Sequence, residues 1–437
     1  MAEVRSALEE KVVEAVRASR DELLALTAEL VACDTTARLP GMPARDEEKL
    51  QRILERRLKG LGAETDVWEP ESTGKGNRHL PDDLDFKGRG QLAARLRGAG
   101  GGRSLLLNGH IDVVDVEPRE KWTSDPFAVS ERDGRLYGRG TADMKGGIAA
   151  LVVALEALRR SDVRLAGDVV CCTVTDEESS GAGGFAAVAH GVRADAGICA
   201  ESTGFDAWVA CRGTVTPYIT VQGRAGHAEI RQPHWRDGGA VNAIEKAVAV
   251  VQAAQRLREE WRDRPDQQHP LLSPGDIVAT TVKGGTWEVT YPESCTLCFD
   301  VTYLPGRLDA EGTGKAVESE IAAWMQRAVA ADPWFAEHPL DIRWSVDVVP
   351  AEMPADHPLA TATLDAGAGL GRPGKAGGLD SWHDAATFTR RGGTPTFSYG
   401  ADGLATAHTI DEWIAADELV DAAAIYALAA IRWCGVA

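Results

Sequence analysis

Two runs of strand length, SLLLNGHIDVV (104–114) and GDVVCCTVTDE (167–177), are apolar almost without a break. Between them GGIAALVVALEALRR (146–160) repeats its apolar residues with helical period. Strands that are apolar on both faces and joined through a helix predict a mainly parallel sheet covered by helices. RADAGICAEST (193–203) reads as another short strand, ending on an acid. The first thirty residues read as one amphipathic helix, with Leu23, Leu26 and Leu30 at helical spacing.

From about residue 212 the period changes. TVTPYITVQG and CTLCFDVTYLP alternate apolar and polar positions, as in a sheet with one exposed face, and the helical stretch GGAVNAIEKAVAVVQAAQRLREEW lies between them. A helix near 312–330 and a strand at 340–348 complete a β-α-β-β-α-β module. After PAEMPADHP the first texture returns with TPTFSYGADG (394–403) and a closing helix, DELVDAAAIYALAAIRW. The predicted fold is α/β: a mainly parallel sheet domain flanked by helices, built from 1–211 and 351–437, with a ferredoxin-like α+β domain inserted at 212–350. Residues 71–90 read as a polar loop.

Composition adds exclusions. A chain of 437 residues is too long for one ordinary core, which agrees with two domains. Lys plus Arg number 47 against 66 Asp plus Glu, a net charge of −19 that argues against a nucleic-acid partner. The charged N-terminal stretch has no signal-peptide core, and no apolar window reaches the length of a membrane span. The eight cysteines are scattered; Cys295 and Cys298 lie three apart on an alternating strand, so they point to opposite faces and make no zinc knuckle. Buried free thiols and a cytoplasmic location are expected.

Acids and histidines gather where the apolar strands end. His110 and Asp112 close NGHIDVV, Asp143 lies in GRGTADMKGG, Glu177 and Glu178 stand in TDEESSGAGG, and Glu201 follows in CAEST. In open α/β sheets the binding crevice lies outside the carboxyl ends of the strands, so these residues are expected to converge. One histidine with several carboxylates is a ligand set for zinc-like divalent ions, and a pair of ions needs a shared carboxylate. ATAHTIDEW offers a second histidine, His408. Asp112 stands two residues after His110 on the same strand face, where it can orient the imidazole. Neighbouring side chains diverge, so one of Glu177 and Glu178 can ligate while the other serves as general base. Taken singly, each acid is an ordinary cap or loop residue; so many in equivalent places point to a metal site. No G-x-S-x-G elbow suggests a serine hydrolase.

At these motifs the sequence resembles the dinuclear zinc amidohydrolase and peptidase family that includes acetylornithine deacetylase, succinyl-diaminopimelate desuccinylase, aminoacylase and glutamate carboxypeptidase. The resemblance runs over essentially the whole chain. It implies two divalent ions per subunit, zinc first, with cobalt and manganese as alternatives. His110 and Glu201 then serve one ion and Glu178 and His408 the other, Asp143 bridges, Glu177 is the general base and Asp112 orients His110. The inserted module corresponds to the family's lid and dimerisation domain, implying a homodimer in which His227, in GRAGHAE, reaches a neighbouring subunit's site and stabilises the oxyanion. Asn242, in GGAVNAI, matches a substrate-binding asparagine.

Two departures bear on the substrate. Thr302 stands where relatives commonly have an arginine that grips a carboxylate, and SYGADG replaces the usual glycine-proline-glycine around Gly400. Arg212 and Arg231 are the candidates to compensate. The implied reaction is hydrolysis of the amide of a small N-acyl amine or N-acyl amino acid. The alternatives are a dipeptidase or carboxypeptidase, and a deformylase or decarbamoylase of a carboxylate-free amine precursor. A non-catalytic binding protein on this fold would lack a ligand or the base, and here all six positions are filled.

Overall fold

The computed structural model describes residues 6–37, 42–72 and 74–437. They form two compact units: residues up to 210 with 351–379 and 383–437, and residues 211–350 with 380–382.

In the first unit the described residues build a nine-stranded sheet. Its order is Glu64–Trp68, Gln91–Leu96, Val169–Val174, Leu105–His110, Ala196–Cys199, Thr396–Ser398, Ala207–Cys211 and Ala351–Glu352, with Ala376–Leu379 paired to Ala207–Cys211. The central four strands, Val169–Val174 to Thr396–Ser398, run parallel; the pairings that flank them are antiparallel. Every residue of Leu105–His110, Val169–Val174 and Ala196–Cys199 is buried, which is why these strands show no alternation.

The helix Lys145–Arg160 lies between this sheet and the C-terminal helix Ala416–Cys434, and its first fourteen residues are all buried. Glycines permit the close approach: a Cβ on Gly109 would sit 2.6 Å from Ile148, and one on Gly147 would sit 2.1 Å from the Ala200 carbonyl. The start of the helix is thereby pressed against the strand ends beside His110 and Glu201.

The single N-terminal helix expected from the sequence is two, Ala7–Ala18 and Arg20–Val31. The break is at Ser19, whose hydroxyl donates back to the Ala15 carbonyl at 2.8 Å. A capping box of Ser6 and Glu9 starts the first helix, and Leu23, Leu26 and Leu30 are buried as expected. Residues 1–5 of the expected helix lie outside the described residues.

The second unit follows the order Gly213–Gln222, helix Ala243–Asp263, Asp276–Gly284, Ser294–Tyr303, helix Lys315–Val329, Asp341–Val348. Its strands pair antiparallel in the spatial order Asp276–Gly284, Ser294–Tyr303, Gly213–Gln222, Asp341–Val348. Val215, Ile219, Val221, Phe299 and Val301 face Val250, Leu257, Ile321 and Met325 of the two helices in one core. All eight cysteines are buried and outside any disulfide. No helix among the described residues is long and apolar enough to cross a membrane.

Candidate active site

His110 ends its strand, Glu201 lies two residues beyond Ala196–Cys199, and the loop after Val169–Val174 carries Glu177 and Glu178. Asp143 precedes the helix Lys145–Arg160, and His408 comes from a loop far along the chain, with a φ of +60°. All belong to the first unit, and they meet. Asp143 faces both imidazoles: Oδ1 is 3.0 Å from His110 Nε2 and Oδ2 is 3.3 Å from His408 Nε2. Glu178 lies 3.1 Å from His408 Nε2, while Glu201 and Glu177 stand 3.8 and 4.0 Å from His110 Nε2. One donor atom each from His110, Asp143 and Glu178 fall within 4.8 Å of one another.

The His110 ring is not oriented by the Asp112 carboxylate. Its Nδ1 lies 2.9 Å from the Asp112 backbone carbonyl and 3.8 Å from the carboxylate. A carbonyl only accepts, so Nδ1 carries the proton and Nε2 turns its lone pair toward the carboxylates when the ring is neutral. The Asp112 carboxylate instead accepts the backbone N–H groups of Glu177 at 3.2 Å and Glu178 at 3.1 Å, holding the loop that bears them.

Crowding so many acids displaces their titrations. Burial raises Glu177 well above the carboxylate range, with Glu178 and Glu201 adding to it. Burial, then Asp143 and Glu178, pushes Glu201 up to about 8. Burial alone would depress His110, but the surrounding acids, Glu177 foremost, reverse this and hold it well above its usual value. Hydrogen bonds to Asp143 and Glu178 raise His408 to about 10. Asp143 is lowered: burial opposes ionisation, and the two imidazoles outweigh it. Protons thus neutralise the cluster, in the place where divalent cations would do the same, and the set of two imidazoles and carboxylates fits such ions.

The surroundings contain residues that pattern reading missed. Asp176 has a φ of +72° and is held by Arg89 Nη1 at 2.7 Å, with Ser180 donating to its other oxygen. Arg89 also binds Thr175 at 3.1 Å and lies 3.4 Å from Glu47. The three consecutive acids therefore face three ways: Asp176 to Arg89, Glu177 into the cluster, Glu178 to His408. Arg89 belongs to the stretch read as a polar loop; an arginine close before an apolar strand was its only signal. Glu412 is fully buried and accepts three backbone N–H groups of the Asp143 loop. Asp384 is fully buried, and neither of its carboxylate oxygens has a hydrogen-bond partner among the described residues. Both stand in segments, TIDEW and SWHDAATF, where an acid abuts apolar residues.

The remaining expected residues have other engagements. Gly400 lies against Glu201, where a Cβ would be 2.3 Å from the Glu201 carbonyl, so its role in the structure is to let two backbones approach. In the second unit, Asn242 caps the helix Ala243–Asp263, accepting from the N–H groups of Ile244 at 3.0 Å and Glu245 at 3.3 Å. His227 is exposed, and its Nδ1 accepts from the Glu229 N–H at 3.3 Å. Thr302 is buried with its hydroxyl accepting from the Asp276 N–H at 3.2 Å. Arg212 donates to the carbonyls of Asp380 at 2.7 Å and Pro274 at 2.8 Å, and Arg231 is exposed.

Residues 106–432 match Peptidase family M20/M25/M40. The chain is 30% identical over 343 residues to N-formyl-4-amino-5-aminomethyl-2-methylpyrimidine deformylase of Halalkalibacterium halodurans, covering 77% of this chain and 74% of that one. It is 33% identical over 317 residues to succinyl-diaminopimelate desuccinylase of Cupriavidus necator, covering 70% and 73%. The fold is shared with the YXEP protein of Bacillus subtilis, described as a dinuclear metal binding peptidase from the M20 family, at a TM-score of 0.62 and 15% identity over 95% of this chain and 98% of that one.

Proposed function

The chain belongs to Peptidase family M20/M25/M40 and is a metal-dependent hydrolase of N-acyl amide bonds, and from that premise we propose that it removes a formyl or other short acyl group from an amine that carries no carboxylate. The observation that carries the catalytic reading is Asp143, with one oxygen toward each imidazole, as a carboxylate bridging two ions requires. His110 and Glu201 would hold one divalent ion and Glu178 and His408 the other; zinc suits this donor set, as do cobalt and manganese. Bound there, the ions would polarise the acyl carbonyl and acidify water.

The chain's own groups do the rest. Glu177 takes a proton from the attacking water and returns it to the leaving nitrogen, so that the C–N bond breaks to a carboxylic acid and a free amine. Asp112 keeps Glu177 in place through its backbone N–H, and the Asp112 carbonyl fixes the His110 tautomer. His227, contributed by a second copy, donates to the oxyanion. A homodimer is supported by the edge strand Asp276–Gly284 and its neighbouring helix, which expose Val282, Ile244 and Val248 together. Eight buried cysteines outside any disulfide support a reducing, cytoplasmic setting.

The preference for carboxylate-free amines rests on Thr302 and Arg212. The first is not an arginine, and the second has its guanidinium engaged by main-chain carbonyls. The deformylase named above acts on an aminopyrimidine, a compound of the proposed class. Zinc-loaded and cobalt-loaded protein should turn over that N-formyl pyrimidine and simple N-formyl amines in preference to N-acetylornithine, N-succinyl-diaminopimelate and dipeptides. Faster turnover of the carboxylated substrates would overturn the assignment.

A further inference from the structure

We propose that Glu412 is a positioning residue that joins the two halves of the metal site, setting the bridging carboxylate of Asp143 and the His408 ligand against each other through one buried side chain. The inference rests on the ligand assignment above. Glu412 Oε1 accepts from the backbone N–H groups of Gly140 at 3.0 Å, Ala142 at 2.9 Å and Asp143 at 3.1 Å. Three amides converging on one oxygen make an anion-binding nest, which Gly140 permits with a φ of +87°. Oε2 accepts from Arg139 Nη1 at 2.6 Å, and the Glu412 carbonyl accepts from the Gly138 N–H at 2.9 Å. Arg139 is itself buried and fixed, its Nη2 donating to the Asp115 carbonyl at 3.0 Å and its guanidinium over the Trp122 ring.

A turn of four residues can close on its own carbonyls or on a nearby serine or asparagine. Here the acceptor comes from 269 positions along the chain, out of the segment that bears His408 four residues earlier. Beyond Glu412 that segment continues as the strand Trp413–Ala415, paired to Arg135–Tyr137, so it is tied to the Asp143 loop on both sides. The consequence is asymmetric. Loosening Glu412 moves Asp143, which serves both ions, and also moves His408 relative to it. The ion held by Glu178 and His408 therefore loses two well-placed ligands, and the ion held by His110 and Glu201 loses one.

The test is calorimetric titration of the metal-free protein with Zn²⁺, and with Co²⁺ while recording the visible spectrum. The step that His408→Ala abolishes marks the His408 ion. Glu412→Gln keeps the shape and removes the charge. It should weaken that step about 10–100-fold and the other by no more than about 3-fold, with the cobalt bands of the weakened step altered. Unchanged affinities in a folded Glu412→Gln protein would reduce Glu412 to a packing residue, and equal weakening of both steps would overturn the coupling. If Glu412→Gln does not fold, Arg139→Lys decides by the same asymmetry, reduced to about 3–10-fold; an equal or absent effect overturns the proposal. Fewer than two ions bound by the unmodified protein would instead refute the ligand assignment itself.

Discussion

Replacing Asp384 by asparagine should stabilise the metal-free protein in alkaline solution and leave it unchanged in acid. Asp384 is fully buried without a hydrogen-bond partner among the described residues, and its Oδ1 presses on Gly184, where a Cβ would lie 2.4 Å away. Burial, with Asp112 and Asp176 adding and His110 opposing, pushes its pKa up to about 7. The unfolded chain releases the same proton near the ordinary value of about 3.9. A pKa raised by folding means that the folded state keeps a proton the unfolded state has lost. The stability tied to that proton is whole below about pH 4, drains as pH rises, and is gone above about pH 7. Three units at about 1.4 kcal/mol each give about 4 kcal/mol, and relaxation and water entry around a buried charge reduce this to about 2–4 kcal/mol. Asparagine and the protonated acid are alike neutral and alike unpartnered, so at pH 5, about one unit above the unfolded value, the asparagine protein should lead by only about 1–1.5 kcal/mol. Glu177 and Glu201 feel the Asp384 charge, so removing it eases their ionisation as well and adds to the gain in alkaline solution. Urea unfolding of chelator-treated protein at pH 5 and pH 8.5 reads the difference directly. A gain of equal size at both pH values, or a loss at pH 8.5, would refute the reasoning.

Two further substitutions probe the acidic triplet. Glu177→Gln should lower kcat by about 10²–10⁴-fold while elemental analysis still finds two ions per chain; near-normal turnover would move the role of base to another residue. Arg89→Met leaves Asp176 buried without its cation and should destabilise the first unit by about 3–5 kcal/mol in urea. Adding Asp176→Asn should restore part of that loss, and strict additivity of the two changes would show that the pair does not act as a unit.

The sequence was most legible where burial is uniform. The apolar runs around Leu107, Val170 and Ile198 are central strands because both faces are covered, and the period-two stretches around Ile219 and Leu297 belong to a sheet with helices on one side. The convergence of His110, Glu178 and Glu201 follows from their place at or just beyond the ends of central strands; Asp143 instead reaches them from the turn before the helix Lys145–Arg160, and the structure brings His408 to them. Hydrogen bonding was far less legible. An Asp two residues after a His on one strand face suggested a side-chain contact, but the chain leaves the strand after His110, and this brings the Asp112 carbonyl to the ring. Asn242 has a local reason for its position, since it caps a 21-residue helix. Arg89, Glu412 and Asp384 were hidden because their contacts span large sequence separations, and periodicity says nothing of such contacts. Ser19 broke a helix that spacing alone would continue, because its hydroxyl bonds the backbone one turn earlier.

The proposed metal ligands are unevenly spread along the chain: His110, Asp143, Glu178 and Glu201 lie in the first half, and His408 follows about 200 residues later. Translation at about 5–20 residues per second would therefore expose the acidic cluster for roughly 10–40 seconds before its second imidazole, and Glu412 with it, leaves the ribosome. During that interval the nascent chain carries three of the proposed carboxylate ligands, with Glu177, and only one of the two histidines. Metal loading of this protein is thus a question of timing during synthesis as well as of affinity in the finished fold.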